Sequence, residues 1–365
     1  MQLWSLKMAD CVIKGRPALA DKWAYDNGVV LKGLINVWRI TNDYKYFDFC
    51  REFMDRFIYD GGLIRDYRPY DYNLDLINNG KILFELYKQT KNDKYKRAAF
   101  KLRRQFYKHP RTSEGVFWHK KIYPYQIWLD GLYMGMPFYI EFINCFERDK
   151  KYSDITKQFF VCYKNLRDKK TGLLYHAWDE SRRQFWCDKK TGLSKNFWGR
   201  SMGWFVMAIV DVLTFLPKNN RDRKQLVEIL RECLKALAKV QDKSGCWYQV
   251  LDKGGKKGNY LEASCSCMIL YAAVKAYKQG YIKGDEWREM IDNAFNGIID
   301  EFVLITEDGF INLNKNCSGA GLGNKEKRDG SYAYYISEPV ICNDLKGVGA
   351  FILAMLEYEN LRPPV

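Results

Sequence analysis

The chain has 365 residues, 47% hydrophobic and 16% aromatic, enough for a sizeable core in one large domain or two ordinary ones. The formal charge is +15 and the pI is near 9.1, so nucleic acid, anionic membranes and acidic saccharides are all electrostatically admissible partners. Lys and Arg are scattered among acids and apolar residues with no helix-turn-helix, finger or RNA-binding signature, which argues against nucleic acid, and no run approaches the ~20 apolar residues of a membrane span.

In chain order, the opening MQLWSLKMADCVIKGRP predicts a helix over about 2–14. It has no basic stretch followed by an apolar one, so it does not read as a signal peptide. Helical periodicity then comes in pairs: about 22–40 with 44–58, 74–89 with 93–107, and 127–147 with 152–167. Two more pairs follow, 198–216 with 221–241 and 260–279 with 284–303, and a last helix at 343–360 has no following partner. Short polar turns such as ITNDYKY, QTKNDKY and KQGYIKGDE join the pairs. A Gly followed by an apolar and then an extended stretch recurs between pairs, as GGLIRDY, GVFWHK, GLLYHAWD, GCWYQV and GFINLN.

Periodic helical hairpins mean a solenoid or a closed toroid. Twelve helices make five hairpins plus a split sixth, in which the N-terminal helix closes the ring against the C-terminal one. The expected fold is an all-α (α/α)6 barrel, with residues 1–365 forming a single domain. The eleven Cys are odd in number and irregularly spaced, and Cys50, Cys145, Cys162 and Cys233 sit in apolar helical context. They read as reduced core residues of a cytoplasmic protein. Cys265 and Cys267 face different ways on a helix, and only three His are present, so no metal centre is expected.

In such a barrel the Gly loops and the starts of the inner helices gather at one mouth. Residues there are pocket candidates: Asp75, His119, Asp130, His176, Trp198 and Arg200. Asp130 opens the most apolar segment, YQIWLDGLYMGMPFYIEF, which Gly131, Gly135 and Pro137 weaken as a helix. Burial beside Trp128 and Tyr125 would disfavour its anion, as a general acid requires. A helix cap is the alternative. Asp75 stands in the equivalent place one repeat earlier, and paired acids are the usual glycosidase arrangement; it too reads equally as a cap. His176 lies between Tyr175 and Trp178. Arg200, near Trp198 and Trp204, suits a carboxylate ligand or else a salt bridge to Asp130 or Asp75. SGAGLGNKEKRDGS, over 318–331, lacks the strand and the GK[ST] of a phosphate loop and reads as a long, flexible rim loop.

WLDGLYMGMPF, LLYHAWDES, FWGRSMGWF, YLEASCSCMILYA and YISEPVICNDLKGVGAF occur in that order. With them the chain resembles glycoside hydrolase family 105, the unsaturated rhamnogalacturonyl hydrolases, related to the unsaturated glucuronyl hydrolases of family 88. The resemblance runs from about Trp23 to Leu361 and implies an (α/α)6 barrel. It implies hydration of the C4=C5 enol ether that polysaccharide lyases leave on a non-reducing uronate. By that resemblance Asp130 is the acid, Asp75 assists, and Tyr25, His119, Lys120, Trp128, His176, Trp198, Arg200 and Trp204 bind substrate. The implied partner is an unsaturated acidic oligosaccharide, with no metal or organic cofactor and with a monomer or weak homodimer as the working state. FWGRSMGW departs from the commonest family pattern, which bears on subsite shape. The competing readings are a non-catalytic acidic-saccharide binder, a glucuronyl hydrolase of other linkage, and an epimerase using a pair of His.

Overall fold

The computed structural model describes residues 3–323 and 328–361. The chain opens with α1 (Trp4–Ile13), α2 (Tyr25–Thr41), α3 (Tyr44–Asp55), α4 (Gly80–Thr90) and α5 (Asp93–Lys108). It continues with α6 (Leu129–Phe146), α7 (Ser153–Leu166), α8 (Gly199–Phe215), α9 (Arg223–Ala238), α10 (Ala263–Lys278) and α11 (Asp285–Phe302), then the short α12 (Tyr332–Ser337) and α13 (Leu345–Glu359).

Helices α8, α10 and α13 are buried over nearly their whole length, because they are apolar on every side. With α2, α4 and α6 they form a closed inner ring. The outer helices α3, α5, α9 and α11 instead carry one apolar stripe and one charged face. Helix α1 packs on α13, where Glu359 accepts from the Trp4 N–H at 2.6 Å and from the Ser5 hydroxyl. The split sixth hairpin is thus closed across the termini, and the fold is the expected (α/α)6 barrel.

The recurrent Gly has one cause. Gly61, Gly62, Gly115, Gly172, Gly245 and Gly309 all have φ between 75° and 85°, open only to Gly at little cost. Each lets the chain reverse after an outer helix and return to the mouth. Antiparallel pairs Ile58–Ile64, Arg111–Phe117 and Arg167–Leu174 flank three of these turns. At a fourth, β3 (Val303–Ile305) pairs with β4 (Ile311–Leu313). Two more small sheets shape the mouth: β1 (Gln126–Trp128) with β2 (Ala177–Asp179), and β5 (Asn316–Cys317) with β6 (Val340–Ile341).

Four expectations change. The helix expected over 74–89 starts at Gly80, after a 3₁₀ turn at Asp75–Ile77. A Cβ on Gly80 would lie 2.6 Å from both Leu102 and Phe138, so Gly lets the start of α4 pack directly on α5 and α6. The short α12 carried no periodic signal. Cys145 is exposed near the end of α6, because it falls on the outer side of that helix; nine of the eleven free Cys are buried. Tyr125 is exposed and packs on Trp118, away from Asp130.

Helix α6 keeps Pro137 inside it without a break. Proline lacks the N–H that would bond the carbonyl four residues earlier. That carbonyl, on Tyr133, instead accepts from Lys81 Nζ at 2.7 Å. Deeper in the barrel, Lys32, Tyr271 and Lys275 converge on the buried Asp211. Among the described residues, no helix is long and apolar enough to cross a membrane.

Candidate active site

Every inner helix brings a polar or aromatic residue to the mouth. Tyr25 starts α2, Asp75 precedes α4, and Asp130 lies in the first turn of α6. Trp198 and Arg200 open α8, Glu262 caps α10, and Asp344 caps α13 with Lys346 beside it.

The two carboxylates differ in their commitments. Asp75 Oδ2 pairs with Lys120 Nζ at 2.6 Å, and Asp75 Oδ1 lies 3.5 Å from His119 Nε2. Burial opposes the Asp75 charge, but Lys120 and then His119 outweigh it, so its carboxyl lies below the usual range. Among the described residues Asp130 forms no ion pair with a Lys or Arg, although Lys120 lies near enough to feel its charge. Its buried Oδ2 has no hydrogen-bond partner among the described residues and lies 3.5 Å from His176 Nε2, which likewise has none there. The cap of α6 is Trp128, without a side-chain bond, so Asp130 is not a capping residue. Nor is Asp75: the caps of the 3₁₀ turn and of α4 are Leu74 and Asn79.

Two imidazoles flank these acids. His119 is buried, and desolvation is the main reason that its pKa falls to about 4. Gly131 permits this placement, since a Cβ there would meet His119 Nδ1 and Leu74 at 2.9 Å. Rings of His119 and Tyr123 lie parallel to Trp128, at 5.0 and 4.8 Å, and to each other at 6.3 Å. That spacing is too short for a sandwich, so both rings share one indole face. His176 is fully buried; its Nδ1 hydrogen-bonds the Tyr335 hydroxyl at 2.7 Å, and its ring packs on Trp198 at 4.6 Å.

Arg200 forms neither of the salt bridges, to Asp130 or to Asp75, that were the alternative to a carboxylate-binding role. Its Nη1 donates to Cys317 O at 2.6 Å and to Ser264 Oγ at 3.3 Å, while Ser264 in turn donates to the buried Glu262. Glu262 Oε1 is 3.9 Å from the same nitrogen. The guanidinium is 1% exposed and also lies over Trp198 at 4.8 Å. Trp198 donates to Gln249 Oε1 at 3.0 Å and is equally buried. Trp128 and Trp198 therefore frame the mouth and offer no open face. Trp204 lies one turn below Arg200 and stacks on Tyr133 at 4.7 Å, forming a floor beneath the acids. Desolvation, then the Asp75 carboxylate, pushes the Tyr25 hydroxyl well above its ordinary value.

The rim loop comes down on this layer. Leu322 packs with Trp128, Trp186 and Cys187, and a Cβ on Gly321 would sit 3.6 Å from Trp128. Residues 324–327 of the 318–331 segment lie outside the described residues.

Glu262, Lys346 and Tyr335 were not among the expected site residues. Glu262 and Lys346 sit at inner-helix starts, the same signal that marked Asp130. Tyr335 had no comparable mark within its aromatic run.

The profile of Glycosyl Hydrolase Family 88 matches residues 5–362. A family 105 glycoside hydrolase from C. acetobutylicum superposes with a TM-score of 0.96 at 53% identity, covering 98% of this chain and 100% of that one. The chain belongs to the family 88/105 glycoside hydrolases. It is 26% identical over 306 residues to the unsaturated rhamnogalacturonyl hydrolase YesR of Bacillus subtilis, covering 82% of this chain and 81% of that protein. It is 35% identical over 229 residues to protein Atu3128 of Agrobacterium fabrum, covering 61% of this chain and 97% of that protein. As a family 88/105 member this barrel is a glycoside hydrolase.

Proposed function

We propose that this hydrolase removes the 4,5-unsaturated uronate from the non-reducing end of lyase-generated rhamnogalacturonan oligosaccharides. Asp130 gives its proton to C4 of the enol ether, and water adds at C5 with Asp130 as its base. The hemiketal so formed opens, leaving a keto-uronate and releasing the saturated sugar as the free alcohol. Hydrogen bonding that is already spent cannot help a proton reach carbon. The observation that carries this reading is the contrast between the two acids: Asp75 is held by Lys120, whereas Asp130 Oδ2 has no hydrogen-bond partner among the described residues. Asp75 then orients the ring as a fixed anion.

Substrate contacts follow the exposure. Lys120, with 20% of its side chain open, meets the uronate carboxylate more readily than the enclosed Arg200. Tyr25 and His119 border the sugar, while Trp128, His176, Trp198 and Arg200 hold the walls and Trp204 the floor. The +15 charge favours an anionic substrate, and no cofactor enters the reaction. Nine buried free Cys suit a reducing, cytoplasmic setting. The likeness to YesR favours rhamnose as the released sugar.

The test follows the ultraviolet absorbance of the double bond in unsaturated rhamnogalacturonan disaccharide. Asp130→Asn is expected to lower the rate by about a hundred- to ten-thousand-fold. A near wild-type rate in that variant rejects the mechanism. Binding with no loss of absorbance in the wild type would point to a saccharide binder.

A further inference from the structure

A groove of about 590 Å³ runs between the C-terminal half of α5 and the preceding loop, outside the ring that holds the acids. Its lining includes Tyr70, Tyr72, Tyr107, Lys101, Arg104 and Lys108, and no carboxylate. Tyr70 and Tyr107 are 75% and 69% exposed, far more open than a packing role needs. Lys101, Arg104 and Lys108 follow one another at helical intervals, about one 5.4 Å turn apart. Among the described residues none of the three forms an ion pair, whereas Arg97 and Arg103 of the same helix pair with Asp93 and Glu147.

The groove is built rather than accidental. Gly62 has φ of 75°, and a Cβ there would lie 2.6 Å from Ala98 N, so the loop rests directly on α5. Buried Gln105 ties both ends of the loop down: its Oε1 accepts from the Tyr67 hydroxyl at 2.9 Å and its Nε2 donates to Asn73 O at 3.1 Å. Asn73 Oδ1 accepts from the Asp75 N–H at 3.0 Å, and Asn73 pairs with Lys120. The floor of the groove is thus the back of the segment that carries Asp75.

The geometry points to a second binding site for an acidic saccharide chain on this groove, separate from the catalytic mouth. Sugar faces stack on Tyr70 and Tyr107, and uronate carboxylates meet Lys101, Arg104 and Lys108. Choosing a uronate over other anions rests on the proposed activity. Such a site holds the remainder of a long substrate beside the mouth and raises its local concentration there.

The probe is saturated hexagalacturonate, which has no C4=C5 bond to hydrate, titrated by calorimetry into the full-length Asp130→Asn chain, in which excess unsaturated disaccharide stays intact and fills the mouth. Binding that weakens as salt rises is expected when the groove is unaltered. Arg104→Ser with Lys108→Ser, and separately Tyr107→Ala, should each weaken it by roughly tenfold. Made in the chain that keeps Asp130, the same substitutions should leave disaccharide turnover and the circular dichroism spectrum unchanged. No binding, or equal binding by the variants, overturns the site. So does equally tight binding of a single-stranded oligonucleotide of the same charge, which would make this a nucleic-acid surface. If the groove binds as expected while the wild type leaves the disaccharide untouched, the proposed activity fails and the site stands.

Discussion

The Tyr335 hydroxyl and His176 Nδ1 are 2.7 Å apart, although 159 residues separate them in the chain. With the hydroxyl donating, Nδ1 is the acceptor and the ring proton sits on Nε2, facing Asp130 Oδ2 at 3.5 Å. Tyr335 thereby orients the imidazole beside the acid. Tyr335→Phe keeps the ring packing on Trp198 and removes only the hydroxyl. We expect kcat to fall roughly 10–100-fold, as when an outer partner of a functional His is lost, with KM little changed. The pH profile of kcat should change shape as well, and an unaltered profile would reduce Tyr335 to packing.

Lys120 sets the charge on Asp75. In Lys120→Gln the burial that opposes the Asp75 anion is no longer offset, so its carboxyl protonates at a higher pH. If the reaction needs Asp75 as an anion, the acid limb of kcat/KM moves to higher pH. That limb should stay put in Lys157→Gln, a cation outside the mouth.

Acid should loosen the fold through two buried imidazoles. His109 and His119 both fall from an ordinary 6.5 to about 4, mainly by desolvation. Their folded values lie below their unfolded ones, so the unfolded chain takes up protons first. The stability they protect is complete above about pH 6.5 and is lost as pH falls towards 4. Each imidazole accounts for about 3 kcal/mol at the acid end. His109→Gln removes one of them, so denaturant midpoints measured between pH 4 and 7 should vary less steeply in that variant.

Pro137 and Lys81 are coupled through the Tyr133 carbonyl. Lys81→Met leaves that carbonyl without a donor, whereas Pro137→Ala returns a backbone N–H to it. In a double-mutant cycle of urea unfolding, the effect of Lys81→Met should be less destabilising by about 1 kcal/mol when residue 137 is Ala. Simple additivity would mean that the lysine does not serve this carbonyl.

Local pattern carried much of the architecture. Period 3.6 marked all twelve long helices, because burial along a helix repeats with its geometry. The repeated Gly marked the reversals, because only Gly takes that φ cheaply. The order of the hairpins, with a Gly loop leading from each outer helix into the next inner one, made the inner and outer rings readable before any contact was known. Helix-start position brought Asp75 and Asp130 to one mouth. By the same rule Glu262 and Lys346 could have been found.

What the sequence by itself determined is the ring of hairpins and the level at which its acids sit. Only the tertiary structure decided what each side chain there is committed to. Arg200 turns to Glu262, Ser264 and Cys317 from other elements, Trp204 sinks to the floor against Tyr133, and Tyr335 reaches His176 from a late short helix. Periodicity reports which face of a helix is dry. It carries no information about which distant donor meets which acceptor across the barrel, and that pairing is what leaves Asp130 unspent beside an Asp75 anion held by Lys120.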